Sequence, residues 1–337
     1  MNRFSYIRAE TLDEALSAIA LPGSALLAGG TNLVDLMKYD VAKPARLVDI
    51  SRLPLRGIEA LDDGGLRLGA LAPNADTAYD ARVQERAPLL ASAILAGASA
   101  QLRNVATTGG NLLQRTRCAY FYDPCTPCNK REPGSGCPAI GGVNRMHAIL
   151  GASEACIAVH PSDMCVALAA LDARVNVQGP GGVRVIPIAD FHRLPGEQPQ
   201  IDSTLLAGEI ITSVDVPADP FGPHHSYLKL RDRLSYAFAL VSVAAALRLE
   251  DGIIAQARVA LGGVAHKPWR DQEAEALLVG LPPGREAFDQ AARAILAPAV
   301  GHGGNDFKIE LARRAVVRAL SQAAAGAPQS QSDKRVR

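Results

Sequence analysis

The stretch Ser24-Ala25-Leu26-Leu27-Ala28-Gly29-Gly30-Thr31-Asn32-Leu33 frames the reading of the whole chain. Its first five residues form a short apolar run that reads as a strand, and residues 33–38 continue as a helix. Between them two glycines, a hydroxyl and an amide bunch into a turn. Paired glycines let backbone N–H groups converge and Thr31 and Asn32 add side-chain donors, so the turn suits a pyrophosphate. It is not the G-x-G-x-x-G dinucleotide fingerprint, which follows no strand in this chain. Taken alone, it reads better as a plain tight connection.

Around this turn the N-terminal residues build one small unit. Residues 4–6 read as a strand, Thr11 as the N-cap of a helix over 12–20 with Glu14 as capping-box partner, and residues 46–50 as a further strand. The result is a βαβαβ lobe over residues 1–57. A hairpin over 58–71, turning on Asp62-Asp63-Gly64-Gly65, opens a second lobe, 58–220. Within it residues 87–100 read as a helix, 103–111 as a glycine-rich loop, and 118–142 as turn formers without period, a length of irregular chain that marks function or disorder. Then come a strand over 155–159, a helix over 164–171 opened by Pro161-Ser162-Asp163, a hairpin over 175–188 and a strand over 210–216. A third unit, 221–322, holds an Ala-rich helix or strand around 238–249, a strand over 254–261, and helices over 272–278, 285–296 and 307–322. The tail, 323–337, has no apolar face and is expected to be disordered.

Composition removes several classes of function. With 35 basic and 34 acidic residues, a formal charge of +1 and no long run of either sign, nothing attracts nucleic acid or an anionic membrane. Aromatic residues make up only 4%, which argues against stacking platforms for bases. No apolar run reaches membrane-spanning length. Residues 1–10 carry Arg3 and Arg8 but no apolar central segment, so no signal peptide is expected.

A second turn of the same character, Thr107-Thr108-Gly109-Gly110-Asn111, changes the weight of the first. Two separated hydroxyl-plus-glycine loops can hold a dinucleotide from both sides. With His160-Pro161-Ser162-Asp163 as a third motif, the order and spacing of residues 27–33, 104–112 and 160–163 resemble the flavin-binding motifs of the medium subunits of the xanthine dehydrogenase and molybdenum hydroxylase family. Gly262-Gly263-Val264-Ala265 and Pro268-Trp269-Arg270 resemble the start of that family's C-terminal domain, so the resemblance spans roughly residues 3–322.

The resemblance implies an α+β chain. A vanillyl-alcohol-oxidase-type FAD-binding domain in two lobes is followed by a C-terminal α+β domain of the carbon monoxide dehydrogenase flavoprotein type. It implies that Leu27, Ala28, Gly29, Gly30, Thr31, Asn32 and Leu33 enclose the FAD pyrophosphate and that Thr107, Gly110 and Asn111 close over it. Asp163 would take a ribityl or phosphate-side hydrogen bond, and Lys229 would place a cation near the flavin ring. On the residues alone, Asp163 reads equally as a helix N-cap and Lys229 as a solvated strand lysine.

Of six cysteines, Cys118, Cys125, Cys128 and Cys137 crowd one turn-rich segment, with Cys156 and Cys165 beyond. Such crowding reads as a metal or iron–sulfur site rather than a disulfide scaffold, because thiolates are soft ligands and a Cys125–Cys128 bridge would be strained. The spacing fits neither a bacterial ferredoxin nor a zinc ribbon and leaves the metal open. His147 and His160 could ligate in principle but read as polar loop histidines, and Cys165 reads as a buried free thiol. Residues 110–118 and Pro127-Cys128-Asn129-Lys130-Arg131 are most similar, within the family, to the flavin subunits of periplasmic aldehyde oxidoreductases. That resemblance implies a [4Fe-4S] cluster in an inserted loop, 115–157, with Cys118, Cys128, Cys137 and Cys156 as ligands. Cys125 has no expected counterpart, which leaves open whether Cys125 or Cys128 ligates.

The implied role is electron transfer, from a molybdenum-cofactor large subunit through a [2Fe-2S] small subunit to FAD here and on to an external acceptor. Nothing in the sequence itself would bind the molybdenum cofactor. The implied location is the periplasm, reached by co-export with a partner, with the cytoplasm as the alternative. Two rivals stand: a self-contained FAD-dependent reductase or oxidase, and a metal-stapled scaffold without flavin.

Overall fold

The structure is a computed structural model and describes residues 1–218 and 220–331. Three sheets organise it. The first is parallel, with β1 (Ser5–Arg8), β2 (Ser24–Leu27) and β3 (Arg46–Asp49) in the order β1-β3-β2. Its first helix, Leu12–Ile19, starts as its sequence dictates. The Thr11 side chain accepts from the Glu14 amide at 3.2 Å, and the Glu14 carboxylate accepts from the Glu10 amide at 2.8 Å. The helix buries Ala15 and Ala18 against Val48 and Ile50.

The second sheet is antiparallel, with β4 (Ile58–Ala60), β5 (Leu66–Gly69), β6 (Arg174–Gly179), β7 (Gly182–Pro187) and β8 (Ile210–Val216) in the order β4-β5-β8-β6-β7. The third, β9 (His225–Leu230), β10 (Val241–Glu250), β11 (Ile253–Gly262) and β12 (Trp269–Arg270), is antiparallel in the order β12-β11-β10-β9. Helices Pro88–Ala96 and Asp163–Ala170 lie between these two sheets, so one core runs from Leu68 and Val214 through Leu90 and Leu168 to Ala244 and Ala260. Being covered all round, both helices are apolar all round. The far face of the third sheet packs on helices Arg285–Ile295 and Phe307–Ala324.

The same double burial settles the Ala-rich run. In β10 Ala244 and Ala246 face the helix layer while Val243, Ala245 and Leu247 face the C-terminal helices. No polar face was left to reveal a period of two.

Other expectations need correction. The helix expected over 87–100 ends at Ala96 and resumes at Ala100, because Gly97 and Ala98, the latter at φ 48°, turn the chain. The loop expected over 103–111 contains the helix Thr108–Leu112. Residues 155–159 form no strand; they make a single bridge, Ser153 to Cys156. The tail does not begin at 323, since its helix runs to Ala324. Beyond it the Gln329 amide donates to Ser226 Oγ and Gln331 Nε2 to Tyr227 O. The rest of the expected disorder, 332–337, lies outside the described residues.

Candidate functional site

A cleft of about 660 Å³ opens where the three units meet, a size typical of cofactor sites. The first lobe gives it Thr31, Asn32 and Asp35, the second Gly110, Asn111 and Asp163, and the third Lys229, Arg233 and Phe238. Two glycines bring the lobes together. A Cβ on Gly29 would sit 2.0 Å from Val105 O of the second lobe, and Gly30 turns the chain at φ 70°. Among the described residues the amides of Gly30, Thr31 and Asn32 donate to no acceptor within the chain. Unpaired donors converging at a cleft are what an anionic pyrophosphate needs.

Within the turn it is Thr31 and Asn32 that line the cleft, with Leu27, Ala28, Gly29, Gly30 and Leu33 continuing the chain on either side of them. Asn32 is fixed in turn, its Oδ1 accepting from the Arg115 amide at 2.8 Å.

The second glycine loop works differently from the first. Its amides are already used, Thr108 N on Ala72 O, Gly109 N on Ala70 O, Gly110 N on Thr107 Oγ1 and Asn111 N on Thr107 O. Thr107 caps this helix through its hydroxyl, directly beside the Gly110 and Asn111 that line the cleft. What the loop presents is the bare Gly110 and the Asn111 side chain. Asn111 Oδ1 accepts from Ser162 Oγ at 2.6 Å and from Gln114 Nε2 at 2.7 Å, which turns its amide nitrogen free.

Asp163 and Lys229 both reach the cleft, and they reach each other. Lys229 Nζ lies 2.7 Å from Asp163 Oδ2 and also donates to Ala96 O at 3.1 Å; Tyr227 OH donates to Asp163 Oδ1 at 2.8 Å. Both side chains are almost wholly buried. Lys229 is thus neither a solvated lysine nor an uncommitted cation, and the N-cap is Ser162, not Asp163.

The cysteines separate into two kinds. Cys118, Cys128, Cys137 and Cys156 line one small cavity with Lys130 and His147. Cys125 is exposed outside it and Cys165 is buried in helix Asp163–Ala170. Four sulfurs without a carboxylate among the lining residues make a soft donor set, suited to iron–sulfur or zinc. The hydrogen bond between Cys156 and Cys137 holds the Cys137 thiol below its ordinary range and pushes Cys156 above it, whereas burial pushes Cys118 up to about 11.

The Asn129-Lys130-Arg131 run braces this irregular loop. Asn129 exchanges hydrogen bonds with Gly136, at 2.8 Å each way, and its Nδ2 holds Ala155 O beside Cys156. Lys130 is buried against Asp202 and Pro199 O, and Arg131 Nη1 holds the carbonyls of Tyr120 and Phe121. Desolvation would raise the Asp202 carboxyl, but Lys130 and Arg115 outweigh it and hold it low.

Two histidines were misread or missed. His147 lies in the loop as expected, but it is buried, with Nε2 3.1 Å from Cys118 Sγ. His266, which no motif signalled, brings Nε2 within 3.9 Å of Cys156 Sγ. His160 and His192 instead pin the end of helix Thr108–Leu112, both with Nε2 on Leu112 O, beside Cys165. An apolar cavity of about 220 Å³, walled by Met146, Phe238, Cys118 and His147, separates the cleft from the cysteines.

Comparison with known proteins agrees along the chain. The family described as FAD binding domain in molybdopterin dehydrogenase matches residues 2–219, and the CO dehydrogenase flavoprotein C-terminal domain matches residues 225–323. The chain is 52% identical to the aldehyde oxidoreductase FAD-binding subunit of Escherichia coli (strain K12), over 97% of this chain and 100% of that one. It is 29% identical to the carbon monoxide dehydrogenase medium chain of Hydrogenophaga pseudoflava, over 95% and 97%. Its fold is similar to a solved carbon monoxide dehydrogenase from Hydrogenophaga pseudoflava, with a TM-score of 0.76 and 28% identity over 96% of this chain and 98% of that one. The quinoline 2-oxidoreductase of Pseudomonas putida 86 matches with a TM-score of 0.74 and 25% identity over 97% and 98%.

Proposed function

The chain belongs to the FAD-binding medium subunits of the xanthine dehydrogenase family of molybdenum hydroxylases, and from that premise we propose that it serves an aldehyde oxidoreductase. It receives electrons from an aldehyde oxidised at the molybdenum cofactor of a large partner subunit, by way of a [2Fe-2S] small subunit, and delivers them to an external acceptor. The observation that carries the reading is the cleft shared by all three units, with unpaired amides on one wall and the Asp163–Lys229 pair on another.

FAD, when bound, supplies a carrier that takes up two electrons and releases them singly or in pairs. The chain's own residues bind and orient it. Thr31, Asn32 and their amides hold the pyrophosphate from the first lobe, and Gly110 keeps the second lobe from obstructing it. Lys229 and Asp163 act as a buried dipole, since each compensates the other's charge. The test is the co-expressed complex: one FAD per chain, bleached anaerobically by an aldehyde. An isolated chain that turns over a substrate of its own would favour a self-contained reductase, and a chain without flavin would favour the scaffold.

The four cysteines are read as ligands of a [4Fe-4S] cluster. Supporting this are the soft donor set of Cys118, Cys128, Cys137 and Cys156, the exclusion of Cys125 from their cavity, and the bracing from Asn129, Lys130 and Arg131. Iron and acid-labile sulfide in equal amounts support it; zinc without sulfide overturns it. We place the three-chain assembly in the periplasm, reached on a partner's export signal, and fractionation of cells checks this.

A further inference from the structure

We infer that His147 and His266 donate N–H hydrogen bonds to Cys118 Sγ and Cys156 Sγ and thereby set the reduction potential of the metal centre those cysteines hold. The inference rests on the [4Fe-4S] reading and deepens it.

Two separate histidines show one pattern. His147, in the loop between Cys137 and Cys156, and His266, just after β11, are both buried, at 6% exposure each. Each aims Nε2 at a different cysteine sulfur of the same cavity, at 3.1 Å and 3.9 Å, and each has a buried Nδ1 without a partner. A neutral imidazole carries one ring proton. Each ring also lies near a backbone carbonyl, that of Asn144 for His147 and of Ala158 for His266, but neither carbonyl meets hydrogen-bond geometry at Nδ1; placed on Nε2, the proton meets a sulfur acceptor. The pattern therefore selects the Nε2–H tautomer in both rings.

His147 is also held in place. Lys308 Nζ and Asn305 Nδ2 both donate to its carbonyl, at 2.7 Å and 3.2 Å. Hydrogen bonds to cluster sulfurs, together with burial, are among the determinants of iron–sulfur potentials. N–H donors stabilise the more negative, reduced state, so these two raise the potential. His147 further walls the apolar cavity next to the flavin cleft, which places one donor on the flavin side of the site. Both are positioning residues, not ligands.

The test is an EPR-monitored redox titration of the assembled complex, with iron, sulfide and FAD counted in each sample. His147→Leu and His266→Leu are each expected to keep full iron and FAD while the midpoint moves negative, further in the double variant. His147→Gln and His266→Gln, which restore an N–H donor, are expected to move it back toward the parent. Unchanged midpoints in the iron-replete Leu variants would overturn the inference. So would iron lost from the Leu and Gln variants alike, which would make the histidines ligands or props. A parent complex without iron would instead overturn the cluster reading beneath it.

Discussion

At the scale of single residues the structure turns neighbouring, chemically identical side chains into different predictions. Replacing Cys118, Cys128, Cys137 or Cys156 by Ser is expected to lower bound iron and sulfide, whereas Cys125→Ser and Cys165→Ser are not, because only the first four face one cavity. Metal analysis of the six variants decides it, and iron kept in Cys128→Ser but lost in Cys125→Ser would reverse the ligand set. The glycines divide as well. Gly29→Ala would drive a Cβ into Val105 O, and Gly30→Val would strain a residue at φ 70° against Val34 and Leu27, so both should unsettle the lobes as well as the flavin. Thr31 lines the cleft, and among the described residues its hydroxyl has no hydrogen-bond partner. Thr31→Val is therefore expected to weaken FAD roughly five- to tenfold, the worth of about one hydrogen bond, with the melting temperature unmoved. A flavin affinity equal to the parent's would remove Thr31 from the pyrophosphate site.

At the scale of elements the decisive contact is between the start of helix Asp163–Ala170 and strand β9, where Lys229 meets Asp163. Lys229→Met leaves a buried carboxylate with the Tyr227 hydroxyl and the nearby Arg231 guanidinium as its partners among the described residues, and is expected to cost about 3–5 kcal/mol, read by urea unfolding. Adding Asp163→Asn should return much of that loss, and strictly additive costs would show that the two groups do not interact. What the sequence could reveal of these elements followed from local chemistry. The Thr11–Glu14 cap, the parallel first sheet and the hairpins at Gly64 and Gly181 were legible because turn and cap residues act over a few positions. The Ala-rich strand β10 stayed ambiguous because both its faces are buried, and residues 155–159 looked like a strand because apolar residues around Cys156 serve a cavity, not a ladder. The four cavity cysteines were legible through motif resemblance. His266 was not, since 110 residues separate it from Cys156 and only the fold joins them.

At the scale of the whole molecule the last unit is the support of the cysteine loop as much as a wall of the cleft. Asn144 Nδ2 donates to His302 O, Ile149 N and Leu150 N to Val264 O, and Val300 N to Ile149 O, so the loop is stitched to the turn after β11 and to the segment before helix Phe307–Ala324. Lys308 completes the seam, fully buried, donating to His147 O and to Gly263 O at 2.5 Å, with no carboxylate pairing it among the described residues. Burial first, and Arg145 second, push its amine from 10.5 down to about 7. Between those values the unfolded chain holds the proton and the folded chain does not, so folding is favoured increasingly as pH rises through that window, and the gain is absent below about 7. Lys308→Met removes the group from both states. The metal-free parent is therefore expected to gain stability over the variant between pH 7 and 9, seen as a urea midpoint that rises more steeply with pH in the parent. Asn305 still holds the His147 carbonyl in the variant, so the fold should persist for the comparison. Parallel midpoint curves for parent and variant across that range would mean that Lys308 keeps its proton on folding, and that the two carbonyls stabilise the ammonium enough to offset its burial.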